Sequence, residues 1–218
     1  MVIKMRINKK KLVVFDLDGT LNKTELYAVP AHQKAMADFN VPIVSEKEII
    51  DTFGARGIDS VTKLIGDCTQ QQADDYLHLV GKYETMFIKE KAGAFEGIPE
   101  MLCELKKLGY QTAVCSNASE RYIRMVLDTL DLSQYIDFVQ PLLPNMTKDE
   151  TLGILIETVN PAIACMVGDR IFDKLAARKN CIPFIGCLYG FDKTEIADAD
   201  ITVLTGFDIL TAVQMLIG

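Results

Sequence analysis

Nowhere in the 218 residues does an apolar stretch approach the roughly 20 residues that a bilayer-crossing helix needs. Basic residues are in the minority, with 23 Lys and Arg against 30 Asp and Glu and a formal net charge of −7. That balance argues against a nucleic-acid binder, which needs a basic footprint to meet phosphates. No Cys-x-x-Cys spacing occurs among Cys68, Cys103, Cys115, Cys165, Cys181 and Cys187, and there are only two histidines. Neither a zinc site nor a disulfide framework is indicated, and several of the cysteines stand in apolar runs as reduced core residues would. The basic N-terminus (Lys4, Arg6, Lys9, Lys10, Lys11) is not followed by an apolar segment of signal-peptide length, because Val13, Val14 and Phe15 run straight into acidic residues. The expectation is a cytoplasmic protein without membrane or nucleic-acid partners, a monomer or a homodimer.

Hydrophobic residues make up 49% of the chain and charged residues 24%, the profile of an ordinary globular protein that has ample surface to bury. Short apolar runs at Lys11–Phe15, Thr112–Cys115, Phe138–Val139, Ile163–Val167, Pro183–Cys187 and Ile201–Leu204 have strand length. Helical patterns separate them: Ile98, Met101, Leu102, Leu105 and Leu108 ahead of Gly109; Ile123, Val126, Leu127 and Leu130; Leu152, Leu155, Ile156 and Val159. Strands alternating with helices predict an α/β fold, a Rossmann-like parallel sheet with helices on both faces. From about Leu26 to Glu90 the alternation stops. Ala73, Tyr76, Leu77, Val80, Glu84, Phe87 and Ile88 keep helical spacing with one polar member, and Val29–Phe39 reads as a second helix with Pro30 in its first turn. The prediction is an all-helical domain at 22–93, inserted after the first strand into a core formed by 1–21 and 94–218.

Four places carry chemistry. Asp16-Leu17-Asp18-Gly19-Thr20 follows the first strand, at the carboxyl edge where parallel sheets bind ligands. Asp-Gly is an ordinary turn, yet Asp16 abuts four apolar residues, and an acid there needs compensation that a divalent cation supplies. Gly168-Asp169-Arg170-Ile171-Phe172-Asp173 follows the run Ile163–Val167, and a helix starting near Arg170 sets Asp169 and Asp173 one turn apart. Helix capping explains that pair alone, but not its convergence with Asp16 and Asp18 into the oxygen-rich cluster that Mg²⁺ prefers. Thr147-Lys148-Asp149-Glu150 reads as a capping box that puts Lys148 in a first helical turn, against the dipole. A solvated surface lysine is the ordinary reading; a charge balancing the acids and a bound phosphate is the other. Ser116-Asn117 ends another strand, either as a turn or as donors to a phosphoryl oxygen.

Together these four elements, in this order and over nearly the whole chain, resemble the haloacid dehalogenase-like hydrolase superfamily, whose motifs are Asp-x-Asp-x-Thr, a Ser/Thr strand end, a Lys and Gly-Asp-x-x-x-Asp. The helical insert resembles that family's cap, and Ile185-Gly186-Cys187-Leu188-Tyr189-Gly190 resembles its phosphoglycolate phosphatase-like branch. The resemblance implies a Mg²⁺-dependent phosphatase acting on a small phosphorylated metabolite, phosphoglycolate-like or a sugar phosphate. Asp16 would be the nucleophile, and Asp18 the general acid and base. Ser116, Asn117 and Lys148 would bind phosphate. The metal would lie between Asp16, Asp169 and the backbone carbonyl of Asp18, with Asp173 in support. Arg170 stands where relatives commonly have a small residue. In the loop Phe53-Gly54-Ala55-Arg56-Gly57, Arg56 is a candidate for contacting the leaving group, or else a solvated loop arginine. Rival readings are a sugar phosphomutase of the same family (β-phosphoglucomutase-like), for which His32 is more simply a packing or surface histidine; a receiver-like phosphorylatable module, about half this length; and a non-catalytic phosphate-binding scaffold, against which the intact acids and lysine speak.

Overall fold

The computed structural model describes residues 10–55 and 58–218. Six strands, β1 (Lys11–Phe15), β2 (Gln111–Cys115), β3 (Phe138–Gln140), β4 (Ile163–Gly168), β5 (Phe184–Cys187) and β6 (Ile201–Val203), form one sheet in the order β3-β2-β1-β4-β5-β6. Every pairing is parallel. Side chains alternate between two buried faces, as a parallel sheet covered on both sides requires. Val13, Phe15, Val114, Cys165 and Val167 enter one cluster, and Leu12, Val14, Ala113, Cys115 and Met166 the other. The first face is covered by α5 (Ile98–Lys107), α6 (Glu120–Thr129) and α9 (Gly206–Ile217), and the second by α7 (Lys148–Val159) and α8 (Ile171–Lys179). The six cysteines are free thiols, with Cys115, Cys165 and Cys187 in the core. Among the described residues no helix is long and apolar enough to cross a membrane.

Between β1 and α5 the described residues form helices only: α1 (Glu25–Asp38), α2 (Glu46–Ile50), α3 (Ile58–Ile65) and α4 (Gln70–Lys91). The two connecting segments pair with each other. Lys23 N–H donates to Gly93 O (2.8 Å), Phe95 N–H donates to Leu21 O (3.2 Å), and Asn22 bridges Ala94 in antiparallel sense. The insert thus leaves and rejoins the core at one place.

One boundary differs from expectation. The first helix starts at Glu25, not Val29, so Pro30 lies inside it, not in its first turn. The proline lacks the N–H that would bond the Leu26 carbonyl. Thr24 stands at the N-cap position but does not cap: its backbone is already helical (φ −60°, ψ −33°), and its hydroxyl donates to Asp18 and accepts from Asn22 Nδ2. Helix α8 begins at Ile171 with Arg170 as N-cap, close to the expected start.

Candidate active site

Three neighbouring strands end at the site. Asp16 follows β1, Ser116 follows β2, and Asp169 follows β4. Asp16 N–H extends the ladder by one bond, to Val167 O at 2.8 Å, which fixes the aspartate at the lip of the sheet. Lys148, the first residue of α7, is only 7% exposed. Its Nζ lies 2.6 Å from Asp16 Oδ1 and 2.5 Å from Asp173 Oδ1. Two buried carboxylates therefore outweigh the unfavourable helix end and the loss of solvent. Burial works against the charged lysine, but Asp16 and Asp173 raise its pKa above the ordinary value.

Oxygens of Asp16, Asp169 and Asp173 all lie within 4.8 Å of one another. Burial, and then the Asp173 charge, push Asp16 up to about 7 in spite of Lys148. Burial together with Asp173 and Asp16 holds Asp169 well above the usual carboxylate range. Each acid is oriented from behind. Thr20 Oγ1 donates to Asp169 Oδ1 and Phe191 N–H to Asp169 Oδ2, both at 2.9 Å. Asp173 Oδ2 accepts from the N–H groups of Asp169 (3.2 Å) and Arg170 (3.0 Å). Asp173 Oδ1 is buried and accepts no aligned hydrogen bond. Tight turns make room for these groups: at Gly19, whose φ is +82°, a Cβ would stand 2.4 Å from Asp169 Oδ2, and at Gly190 it would stand 2.2 Å from Asp169 Cβ. Asp173, expected in support, is thus a full member of the triplet. The Asp18 side chain lies outside it, which leaves its backbone carbonyl as the metal contact to be expected from that residue.

Asp18 meets different surroundings. Its Oδ1 accepts from Thr24 Oγ1 (2.6 Å), Tyr122 Oη (2.8 Å) and Asn22 Nδ2 (3.4 Å). Because the Tyr122 proton is spent on Asp18, Tyr27 Oη donates to Tyr122 Oη, 2.5 Å away, and itself accepts from Asn22 Nδ2 at 2.7 Å. Donors thus run one way, from Asn22 through Tyr27 and Tyr122 to Asp18, and such chains strengthen each bond. Burial raises the Asp18 pKa while these hydrogen bonds pull it down. All three donors fall on Oδ1, which leaves Oδ2 as the oxygen to carry a transferable proton.

The remaining predicted residues divide. Ser116 is buried, lines the same cavity and accepts from Ala118 N–H at 3.2 Å. Asn117 also lines it, and its amide donates to Gly54 O (3.0 Å) of the insert, which ties that loop to the end of β2. Arg170 pairs with Glu195 at 2.8 Å and donates to Phe53 O at 2.5 Å. Its side chain therefore clamps the same loop, where the Phe53 ring meets Phe191 edge-on at 5.1 Å. Arg56 lies outside the described residues. His32 is a packing histidine: it is buried, its Nδ1 is 2.8 Å from Tyr76 Oη, and burial lowers its pKa to about 4. Sequence reasoning gave no role to Tyr27, Tyr122 or Glu84. The tyrosines carry no local signal, since Tyr122 is 104 positions from Asp18. Glu84 does carry one, as the single polar member of the stripe on α4.

These groups line a cavity of about 1070 Å³, to which the core contributes Asp16, Asp18, Ser116 and Lys148 and the insert contributes residues of α4. The profile of the haloacid dehalogenase-like hydrolases matches residues 13–187. The probable phosphatase IndB of Dickeya dadantii is 27% identical over 223 residues, covering 95% of both chains. A phosphoglycolate phosphatase of Vibrio cholerae is 28% identical over 205 residues, covering 87% of this chain and 90% of that one. Among solved structures, a predicted phosphoglycolate phosphatase from Haemophilus somnus superposes with a TM-score of 0.85 at 20% identity, over 95% of this chain and 100% of the other.

Proposed function

Given that this chain belongs to the haloacid dehalogenase-like hydrolases, we propose that it is a Mg²⁺-dependent phosphatase that releases phosphate from a small phosphorylated metabolite through a phosphoaspartate on Asp16. The observation that carries this reading is the pairing of a cation-held carboxylate, Asp16 on Lys148, with a second carboxyl, Asp18, that lines the same cavity and takes its side-chain hydrogen bonds on one oxygen. An Asp16 oxygen attacks phosphorus, and the bond from phosphorus to the ester oxygen breaks. Asp18 gives its proton to that departing oxygen. A water then attacks the phosphoaspartate, Asp18 takes the water proton, and the Asp16–phosphorus bond breaks to release inorganic phosphate. Lys148 and the Ser116 hydroxyl meet the phosphoryl oxygens as their charge is redistributed. Halide displacement would need no proton donor at Asp18, so the hydrogen-bonded Asp18 favours phosphoryl transfer.

The donor set fits Mg²⁺. Three carboxylates converge, Asp16 and Asp169 raised by burial and then by the Asp173 charge, and the buried Asp173 Oδ1 accepts no aligned hydrogen bond and has the Lys148 ammonium beside it. Asp16, Asp169 and Asp173, with the Asp18 carbonyl, would hold the ion. Bound there, it would neutralise charge so that a carboxylate can approach a phosphate dianion. The test is phosphate release from a panel of phosphate esters with Mg²⁺ and with EDTA. Release that EDTA abolishes is expected. Undiminished turnover in chelated enzyme overturns the metal reading, and an isomerised sugar phosphate formed without free phosphate would make the protein a phosphomutase instead.

A further inference from the structure

Glu84 is the one acidic group that α4 contributes, from the insert, to the lining of the cavity that Asp16 and Asp18 line from the core. Among the described residues it makes no ion pair and no hydrogen bond, although other acids of the insert do, Asp38 with Lys34 and Asp51 with Lys47 among them. It lies within electrostatic reach of Asp18, Tyr27, Tyr122 and Tyr76. An acid on an otherwise apolar helical stripe, facing a cavity and left unpaired, has no packing role to explain it.

Building on the phosphatase reading above, we propose that Glu84 selects the leaving group: it accepts hydrogen bonds from the hydroxyls of a sugar-sized alcohol, and the protein favours such esters over carboxylate-bearing phosphoglycolate. Position comes first. The phosphoryl group is held by Lys148 and Asp16, so whatever lies across the cavity from it is the departing alcohol, on the Asp18 side where its oxygen must be protonated. Chemistry comes second. A hydroxyl can donate to Glu84 whether or not that carboxyl is ionised, whereas a substrate carboxylate can approach only while Glu84 keeps its proton, and it meets Asp18 as well. Burial and the Asp18 charge push Glu84 up to about 8, so its charge opposes a substrate carboxylate increasingly as pH rises through 8, while a hydroxyl is accepted on either side of that value. Size comes third. A cavity of about 1070 Å³ far exceeds a two-carbon acid and is at the scale that holds ligands of tens of atoms. Among the described residues, the cations lining the cavity besides Lys148, paired with Asp16, and Arg170, paired with Glu195, are the exposed Lys82 and Arg121 at the rim.

The experiment compares kcat/KM for ribose 5-phosphate and for phosphoglycolate, with Mg²⁺, in the wild type and in Glu84→Gln, Glu84→Leu and Glu84→Lys, with the exposed Glu90→Gln on the same helix as control. Both substrates are read on one preparation, so partial misfolding cancels in their ratio. The wild type is expected to favour ribose 5-phosphate at least tenfold, Glu84→Leu to lose most of that preference, Glu84→Gln to lose less because its amide oxygen still accepts, and Glu84→Lys to reverse it. Glu90→Gln should match the wild type. A wild type that prefers phosphoglycolate, or a ratio unmoved in Glu84→Leu and Glu84→Lys, overturns the assignment and gives leaving-group recognition to the rim cations. A wild type that releases no phosphate from either ester or from p-nitrophenyl phosphate refutes the phosphatase reading itself, a separate result.

Discussion

Asp16 and Asp18 stand two positions apart yet meet opposite surroundings. Asp16 is held by an ammonium and crowded by other acids; Asp18 is held by neutral donors on one oxygen. The elevation of Asp16 has a consequence for stability. Its folded pKa of about 7 lies above the ordinary 3.8, so folding is favoured with the proton on. That contribution is fully present below about pH 4 and is lost as pH rises through 7. In metal-free solution, Asp16→Asn is therefore expected to flatten the fall in Tm between pH 5 and pH 8, while its kcat drops about 10³-fold or more because an amide is a poor nucleophile. Thermal melts in EDTA across that range, with phosphate release at saturating Mg²⁺, check both. A slope like that of the wild type would mean Lys148 already cancels the repulsion.

At the scale of elements, the sheet was legible because its strands are short apolar runs that end in turn residues. The runs at Lys11–Phe15 and Ile163–Val167 also marked where acids would emerge. The start of α1 was not legible. Pro30 suits a first turn, and nothing local shows that the chain is already helical at Thr24, with its hydroxyl on Asp18. The tyrosine relay was hidden for a different reason: it joins α1 to α6, and such pairing exists only once the insert lies on the core. Lys148 was ambiguous in sequence, since a lysine in a first turn is usually solvated; burial beside two carboxylates decides it. The turn after β5 offers a test of element placement. Gly190 packs so closely on Asp169 that a methyl group must displace the Asp169 Cβ, which has no flexible end to swing away. Gly190→Ala is expected to raise the Mg²⁺ concentration for half-maximal activity about tenfold and to cost roughly 1–3 kcal/mol by overpacking. Metal titration of activity and a chemical melt check it, and an unchanged metal requirement would show that Asp169 does not set the affinity.

For the whole molecule, a cation that binds the folded acidic cluster and not the unfolded chain acts as a global stabiliser. At a hundredfold excess over its Kd the gain is about 2.7 kcal/mol. For a chain of this size that corresponds to a rise in Tm of roughly 5–10 °C. Mg²⁺ should produce this shift in the wild type and not in Asp169→Asn, by differential scanning fluorimetry; equal shifts in both would place the ion elsewhere. The sheet order has a further consequence, for synthesis. The central strand is the first to be made, yet its partner β4 lies about 150 residues further on, with Val13 opposite Cys165. At roughly 5–20 residues per second, Leu12–Phe15 waits about 8–30 s for that partner to leave the ribosome. Until then a fully apolar strand has at most one edge covered, by β2, so the nascent chain is most exposed to aggregation at the segment that ends in Asp16.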